Sequence, residues 1–268
     1  MTTPSVARIA IAPVKALALL APDEVVVTPT GVAGDRRYAL LDAEHRLANG
    51  KRLGPLVRIV PEIGEDPETL HLLFPNGTRI GGEVRLGREV GAVFYGYERP
   101  ARVVEGPYAE ALSAATGQAL TLVRMSEEGA GIDRADEGGS VSIQSMAALE
   151  AMAAAAGLDA PVDSRRFRMT FTLDGVEAHA EDGWMGRRVR IGDAIVRPGG
   201  NIGRCAVTTQ DPDTGLRSLD TLRLIAETRG HLLATEPLPF GVWAEVLVAG
   251  RVRVGDPVEP LPDDRAPA

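Results

Sequence analysis

The 268-residue chain contains one cysteine, few aromatic residues and no long apolar run. One cysteine cannot form an internal disulfide bond, and it cannot build a zinc site made of cysteines. Phe, Trp and Tyr make up only 4% of the residues, so the core has to consist mainly of Val, Leu, Ile and Ala. The hydrophobic share of 44% and the charged share of 25% are ordinary for a soluble globular protein.

Positive charge is also scarce. The chain has 29 Lys and Arg against 37 Asp and Glu, for a net charge of −8. This balance argues against a general nucleic-acid-binding protein, which needs a basic face to match phosphates. The opening "MTTPSVARIAIAPVKALALLAP" superficially resembles a signal peptide, but Pro13 and Lys15 interrupt it. No segment approaches the roughly 20 apolar residues of a membrane helix, so we expect a cytoplasmic protein without a membrane or nucleic-acid partner.

Glycine and proline, by contrast, are abundant. The 30 glycines and 19 prolines predict many turns and therefore many short strands. β-Branched runs closed by Pro or Gly dominate the first third, and Asn76-Gly77 between two apolar runs predicts a β-hairpin. Capping residues and Gly stops predict three short helices. These helices are "PYAEALSAATG" ending at Gly117, "SMAALEAMAAAAG" from Ser145 to Gly157, and "SLDTLRLIAETRG" from Ser218 to Gly230.

A short pattern recurs along the chain. "GRRVRIGDAIVRP" (186–198) resembles "AGRVRVGDPVEPL" (249–261), and "GEVRLGREV" is a fainter third copy. Each copy predicts a strand, a tight turn and a second strand, and such hairpins are the parts of a barrel or curled sheet. We therefore predict a mainly β (α+β) fold with a few short helices. It comprises an N-terminal β-barrel-like module over 1–98, a larger β-barrel module over 99–262 and a flexible tail over 263–268.

Few residues are candidates for chemistry. The sequence has no phosphate-binding loop and no G-x-S-x-G elbow. The histidines are isolated, and none has metal-ligand spacing: His45, His71, His179 and His231. Cys205 remains, either as a small buried apolar residue or as a functional thiol.

The surroundings of Cys205 favour a functional thiol. In "NIGRCAVTTQDPDTG", Arg204 places a positive charge beside it, and Thr208 and Asp211 add a hydroxyl and a carboxylate. "DPDTG" is a strong turn sequence, so we expect this segment at the surface. Such a thiolate suits a nucleophile, a persulfide carrier or a ligand to a soft metal. Asp211 is either a proton donor or simply the first residue of the turn.

These motifs resemble a known family. "GRCAVTTQDPDTG", "AEDGWMGRRVRIGD" and "RRFRMTFTLDG" resemble the MOSC domain, named for the C-terminal domain of molybdenum-cofactor sulfurases. "APVKAL", "GVAGDRRYALLD" and "FGVWAEVLVAGRVRVGDPVEP" are similar to the β-barrel module that precedes this domain in the mitochondrial amidoxime-reducing components and their bacterial relatives. The resemblance runs from Val6 to Pro260, so residues 1–98 are expected to form the MOSC N-terminal module and 99–262 the MOSC domain.

The resemblance implies a molybdenum–pterin cofactor, molybdopterin, with Cys205 as a ligand to the metal. It also implies cations and donors for the cofactor's phosphate tail and pterin ring. The residues expected to bind the cofactor are Lys15, Arg36, Ser145, Arg168, Arg204 and Thr208. The chain departs from the family pattern at three places, where the family commonly has other polar residues: Ala16, Thr170 and Gly203.

By this resemblance the protein is an oxidoreductase that reduces N-hydroxylated or related N-oxygenated small molecules, with Cys205 and Asp211 as catalytic residues. No cysteine-rich segment follows Pro260, so electrons are expected from a separate electron-transfer protein. Two alternatives remain open. One is a sulfur carrier that uses a Cys205 persulfide. The other is a protein that stores the cofactor without turnover.

Overall fold

The computed structural model describes residues 3–262 and confirms the mainly β architecture with a few short helices. Three α-helices and five short 3₁₀-helices connect the strands in this part of the chain. The strands are β1 Ser5–Ile9, β2 Glu24–Thr28, β3 Gly31–Val32, β4 Tyr38–Leu41, β5 Val60–Glu65, β6 Glu68–Leu73, β7 Arg79–Glu83, β8 Arg85–Phe94, β9 Tyr97–Glu105, β10 Thr121–Met125, β11 Val141–Ser145, β12 Phe171–Asp174, β13 Val189–Ile191, β14 Ala194–Gly203, β15 Pro239–Val248, β16 Gly250–Arg253 and β17 Val258–Pro260.

A seven-stranded, nearly closed sheet forms the larger barrel. Its strand order is β1-β12-β11-β15-β14-β13-β17, and a bridge between Ser5 and Pro257 brings the two edges close. All pairs are antiparallel except β11 with β12. The interior is filled mostly by aliphatic side chains such as Ile143, Leu173 and Val242, as the scarcity of aromatic residues predicts. Close packing of these side chains stabilises the barrel.

Three smaller sheets complete the fold. Their orders are β4-β10-β9-β8, β5-β6-β7 and β16-β2-β3. The predicted hairpin at Asn76-Gly77 is confirmed, because β6 pairs with β7 and Gly77 has φ +84°. Residues between Val14 and Met125 line two cores around the first two of these sheets.

The three predicted helices are confirmed: α1 Tyr108–Thr116, α2 Met146–Ala156 and α3 Thr221–Arg229. α1 and α2 end at Gly117 and Gly157, whose left-handed conformation closes the last turn at little cost for glycine. α3 begins later than expected, because the Asp220 carboxylate, rather than Ser218, accepts a hydrogen bond from the Arg223 amide.

Only one of the three expected hairpins forms. β13 and β14 pair as predicted around "IGDA". The second prediction is wrong, because β16 pairs with β2 and β17 pairs with β13 instead of with each other. In this arrangement Val252 and Val258 are both buried in the barrel core. The third copy lies largely in one irregular strand, β8, instead of two.

The expected module boundary at 98/99 falls inside β9. This strand pairs with β8 on one side and β10 on the other, so one sheet spans the boundary. In addition, Val6, Val27 and Val32 near the start of the chain pack in the core of the larger barrel. The expected tail 263–268 lies outside the described residues. Within 3–262, no helix is long and apolar enough to cross a membrane.

Candidate functional site

Cys205 lies between the end of β14 and a 3₁₀-helix, Ala206–Thr209. It is a free thiol that is neither fully buried nor fully exposed. The two threonines fold the segment back on itself: Thr208 Oγ1 donates to the Cys205 carbonyl at 3.1 Å and Thr209 Oγ1 to the Ala206 carbonyl at 2.7 Å. Cys205 therefore sits on a rigid turn and not among aliphatic side chains of the core.

Three of the cations expected to bind the cofactor gather in one cluster. Lys15, Arg36 and Arg168 come from sequence positions up to 153 residues apart. Arg36 Nη2 donates to the Arg168 carbonyl at 3.2 Å, and Arg168 Nη2 donates to the Leu17 carbonyl at 2.8 Å. Burial and, to a smaller extent, the charge of Arg36 lower the pKa of Arg168 to about 10. The three residues thus form the cation cluster, defined here as Lys15, Arg36 and Arg168.

Two carboxylates face the cation cluster. Asp35 pairs with Arg36 and accepts from the Ala12 amide at 2.6 Å. Asp133 Oδ1 lies 2.5 Å from Lys15 Nζ, which also donates to the Gly131 carbonyl at 2.7 Å. Burial lowers the pKa of Lys15, and Asp133 opposes this effect. Asp133 had not been singled out from the sequence.

Tyr95 lies close to the carboxylate that pairs with Lys15. It lies at the tip between β8 and β9, and its phenol interacts with Asp133. Partial desolvation, Asp133 and Cys205 all raise the pKa of Tyr95 above its usual value. The Tyr95 phenol is therefore a further polar group beside the carboxylate that pairs with Lys15.

Backbone strain is concentrated at the same place. Four residues here have a positive φ, between 51° and 75°, which residues other than glycine rarely adopt: Ala16, Arg36, Tyr95 and Arg168. Such conformations persist only where the surrounding structure enforces them, and they are frequent at functional sites. The strain therefore supports a functional role for this region independently of the sequence motifs.

The guanidinium of Arg204, a residue expected to bind the cofactor, contacts backbone carbonyls of the chain. Its guanidinium donates to the Phe240 and Phe167 carbonyls at 2.8 and 3.1 Å, and it lies over the Phe167 ring. Burial lowers the pKa of Arg204 to about 9. Its donors are therefore used to join the segment that carries Cys205 to the carbonyls of Phe167 and Phe240.

Thr208 and Asp211 are likewise occupied by local structure. Thr208 is 3% exposed and shares a 2.6 Å hydrogen bond with Thr221 at the start of α3. Asp211 Oδ1 accepts from the amides of Asp213 and Thr214, which is the turn role considered above. Desolvation raises the pKa of Asp211, but these hydrogen bonds outweigh it, and the net shift is downward. An ionised carboxylate is a poor proton donor, so the geometry argues against that role.

Ser145 lies in a buried polar network instead of a ligand site. It is completely buried at the N-cap of α2, and its hydroxyl accepts from the His179 amide at 3.0 Å. Its own amide donates to the buried carboxylate of Glu181 at 3.3 Å. Burial raises the pKa of Glu181 to about 7 and lowers that of His179 to about 4. The expected phosphate contact of Ser145 is therefore not supported by its surroundings.

Two arginines that the sequence reasoning missed position the turn after Cys205. Arg166 donates to the Gln210 carbonyl at 2.7 Å and to Ser218 Oγ at 2.7 Å. Arg165 makes a bidentate pair with Asp213, at 2.6 and 3.0 Å. The signal was present in the sequence as "RRFR", three arginines in four residues, of which only Arg168 had been considered.

The three departures from the family pattern have local explanations. At Gly203 a Cβ would lie 2.8 Å from the Pro237 carbonyl oxygen, so the close approach of that segment excludes a side chain. Thr170 Oγ1 is 3.2 Å from Ser142 Oγ and ties β11 to the start of β12. Ala16 adopts φ +75° beside Lys15.

A cleft of about 310 Å³ lies beside the cation cluster. It is lined from the first half of the chain by residues such as Leu19 and Arg58, and from the second half by Arg168, Val207 and Gln210. Gln210 Nε2 donates to the Gly50 carbonyl at 2.7 Å, which ties the cysteine segment to the first half. Its Oε1 is buried and has no hydrogen-bond partner within the described residues.

Comparison with known proteins identifies the class of domain. Residues 135–259 match the family described as the MOSC domain, which confirms the resemblance carried by the cysteine motif. The matched region includes Cys205, Arg168 and the strands from β11 to β16.

The chain is also similar to part of the mitochondrial amidoxime-reducing components. The chain is 35% identical to mitochondrial amidoxime reducing component 2 of Rattus norvegicus over 113 residues, 40% of this chain and 32% of that protein. It is 37% identical to mitochondrial amidoxime-reducing component 1 of Xenopus laevis over 108 residues, 38% of this chain and 31% of that protein. The matched region thus spans about a third of the length of these relatives. The YUAD protein from Bacillus subtilis aligns over 96% of this chain and 94% of its own, at a TM-score of 0.43 and 12% identity, too distant to add to the argument.

Proposed function

We propose that the protein binds a molybdenum–pterin cofactor and reduces N-hydroxylated or related N-oxygenated small molecules, with Cys205 as the protein ligand to the metal. The observation that supports this most is a cation cluster assembled from distant segments, whose Arg168 lines the same cleft as Val207, two residues after the partly exposed Cys205. The MOSC match and the names of the curated relatives support the reaction class.

The residues present fit such a cofactor. Among residues 3–262, no group of three or more His, Cys, Asp or Glu side chains is placed to hold a metal ion. A metal at Cys205 would therefore have to bring most of its ligands, as it does when a pterin dithiolene chelates it. The cleft offers space, and the unpaired Gln210 Oε1 could accept from a ring N–H.

In this proposal each residue has a defined task. Cys205 donates a thiolate to the metal, and the cation cluster holds the phosphate end of the cofactor. Arg204 and Arg166 are positioning residues, because they fix the carbonyls around the thiol. When bound, molybdenum supplies the oxygen-transfer chemistry. Reduction of N–OH to N–H consumes two electrons and two protons and releases water; the electrons come from a separate electron-transfer protein.

The test is metal and pterin analysis of protein made in a host that synthesises the cofactor. We expect close to one molybdenum per chain, loss of the metal in Cys205→Ala, and loss of both metal and pterin in Lys15→Met. Lys51→Met is the matched control, because Lys51 is the other lysine in the sequence and is exposed. Folded wild-type protein without metal or pterin would contradict the proposal.

The partly exposed thiol of Cys205 also supports the alternative function, a sulfur carrier that uses a Cys205 persulfide. Intact mass after incubation with a cysteine desulfurase separates the two functions. Addition of one sulfur atom at Cys205 in metal-free protein, followed by its transfer to an acceptor, would favour the carrier. An unchanged mass of the protein would contradict the sulfur-carrier function and favour the oxidoreductase.

A further inference from the structure

Asp133 is the carboxylate of the site whose side chain is free to move. It pairs directly with Lys15, and its charge affects the pKa values of Arg36's neighbour Arg168 and of Lys15. Asp35 is committed to the Ala12 amide and to Arg36, and its side chain is 1% exposed. The Asp133 side chain is 51% exposed. Of the two carboxylates, Asp133 is therefore the one that can turn away.

The loop that carries Asp133 is held independently of its carboxylate. Arg99 donates to the carbonyls of Ala130 and Ile132, the latter at 3.0 Å, and to Asp136 at 2.5 Å. Lys15 also binds the backbone of this loop, at Gly131. Because these contacts involve other atoms, the Asp133 side chain can leave Lys15 by rotation while the loop stays in place.

We propose that Asp133 is an internal counter-ion that sets the affinity of the cation cluster for anionic ligands. In the free chain its carboxylate neutralises Lys15, and a phosphate or pyrophosphate group must displace it in order to bind. Three cations face two carboxylates, so the cluster carries one net positive charge with Asp133 in place and two without its charge. This inference rests on the proposed function, in which the cluster holds the cofactor's phosphate end.

The experiment titrates inorganic pyrophosphate into the cofactor-free full-length chain by calorimetry. Asp133→Asn keeps a side chain of the same size but removes the competing charge. We expect it to bind pyrophosphate on the order of tenfold more tightly than wild type, because two like charges within a few ångströms repel strongly near a protein surface. The difference should shrink as salt is added.

Glu137→Gln is the matched control. Glu137 lies on the same loop, is 53% exposed and pairs with Arg134 instead of Lys15. We expect its pyrophosphate affinity to equal that of wild type. Equal tightening in Asp133→Asn and Glu137→Gln would show a general charge effect and overturn the counter-ion role.

Lys15→Met separates this inference from the proposed function. If Lys15→Met weakens binding while Asp133→Asn behaves as wild type, the counter-ion role is overturned and the anion site stands. If neither substitution changes the affinity, or if no variant binds pyrophosphate, both the inference and the proposed phosphate site are overturned. Tighter binding in Asp133→Asn alone, together with weaker binding in Lys15→Met, supports both.

Discussion

At the residue scale, the buried polar groups separate structural roles from site roles. Arg204, Thr208 and Ser145 had all been expected to contact the cofactor, yet their donors and acceptors are used within the chain. Lys15 and Cys205 differ: Lys15 pairs with the half-exposed carboxylate of Asp133, and Cys205 is itself partly exposed. Local sequence cannot make this distinction, since it depends on which carbonyls lie opposite each side chain.

Glu181 gives a prediction at this scale. Burial raises the pKa of Glu181 from the usual 4.5 to about 7 in the folded chain. Between pH 4.5 and pH 7 the folded state therefore keeps a proton on Glu181 that the unfolded state has lost. Its contribution to the free energy of unfolding is therefore full below about pH 4.5 and is lost as the pH rises to about 7. Glu181→Gln removes this dependence.

We expect the stability of Glu181→Gln relative to wild type to rise between pH 5 and pH 8, by on the order of 2–3 kcal/mol. Urea denaturation of both proteins across this range measures the difference, in which groups common to both, such as His179, cancel. A difference that stays constant with pH would show that Glu181 titrates normally.

Asp133 shows why the site was only partly predictable. Lys15, Arg36, Arg168 and Cys205 lie in motifs that a family resemblance can reach. Asp133 lies in an irregular loop and meets Lys15 across 118 residues of sequence. No periodicity or spacing indicates such a contact, because it arises only when the loop after β10 folds over the first strands.

At the element scale, helices were predicted better than hairpins. α1 and α2 end where Gly117 and Gly157 predict, because a helix is closed by contacts within a few residues. The sequence predicts that β16 and β17 form one hairpin, but they pair with β2 and β13. These pairings bury Val252 and Val258 in the core of the larger barrel. Strand pairing is set by tertiary contacts that the sequence pattern does not contain.

The turn after Cys205 gives a prediction at this scale. Gly215 has φ +73°, and a Cβ there would lie 2.1 Å from the Gly54 carbonyl oxygen. Gly215→Ala should therefore lower the free energy of unfolding by more than about 1 kcal/mol, because it adds backbone strain to a collision. Chemical denaturation measures the change.

Gly183→Ala is the control for that substitution, because a Cβ at Gly183 meets no atom within 4 Å. We expect its stability to remain within about 0.5 kcal/mol of wild type. If Gly215→Ala is equally harmless, the two segments are not held as closely as Gly54 and Gly215 indicate.

At the scale of the whole molecule, the two halves share their sheets. β9 extends across the expected boundary at 98/99, and β4 pairs with β10. β1 and β2 pair with β12 and β16, which belong to the region of the MOSC match. The described chain is therefore not a linear pair of modules, and its candidate site is assembled from both halves.

A fragment of residues 1–98 should accordingly lack a cooperative thermal transition, because it loses most of β9 and all of β10 and α1. A fragment of residues 1–126 restores these elements and should melt more cooperatively than the shorter fragment, although β1 and β2 still lack β12 and β16. Circular dichroism during heating compares the two. Cooperative melting of the shorter fragment would support a boundary at 98/99 after all.

The pairing of β2 with β16 has a consequence for biosynthesis. Val25 and Val27 in β2 pair with β16, which the ribosome synthesises more than 220 residues later. Until then, these apolar strands remain open to chaperones or to premature association. The cation cluster is likewise complete only when Arg168 has been made and has reached the Leu17 carbonyl, so any ligand of this cluster has to be loaded after more than half of the chain has been translated.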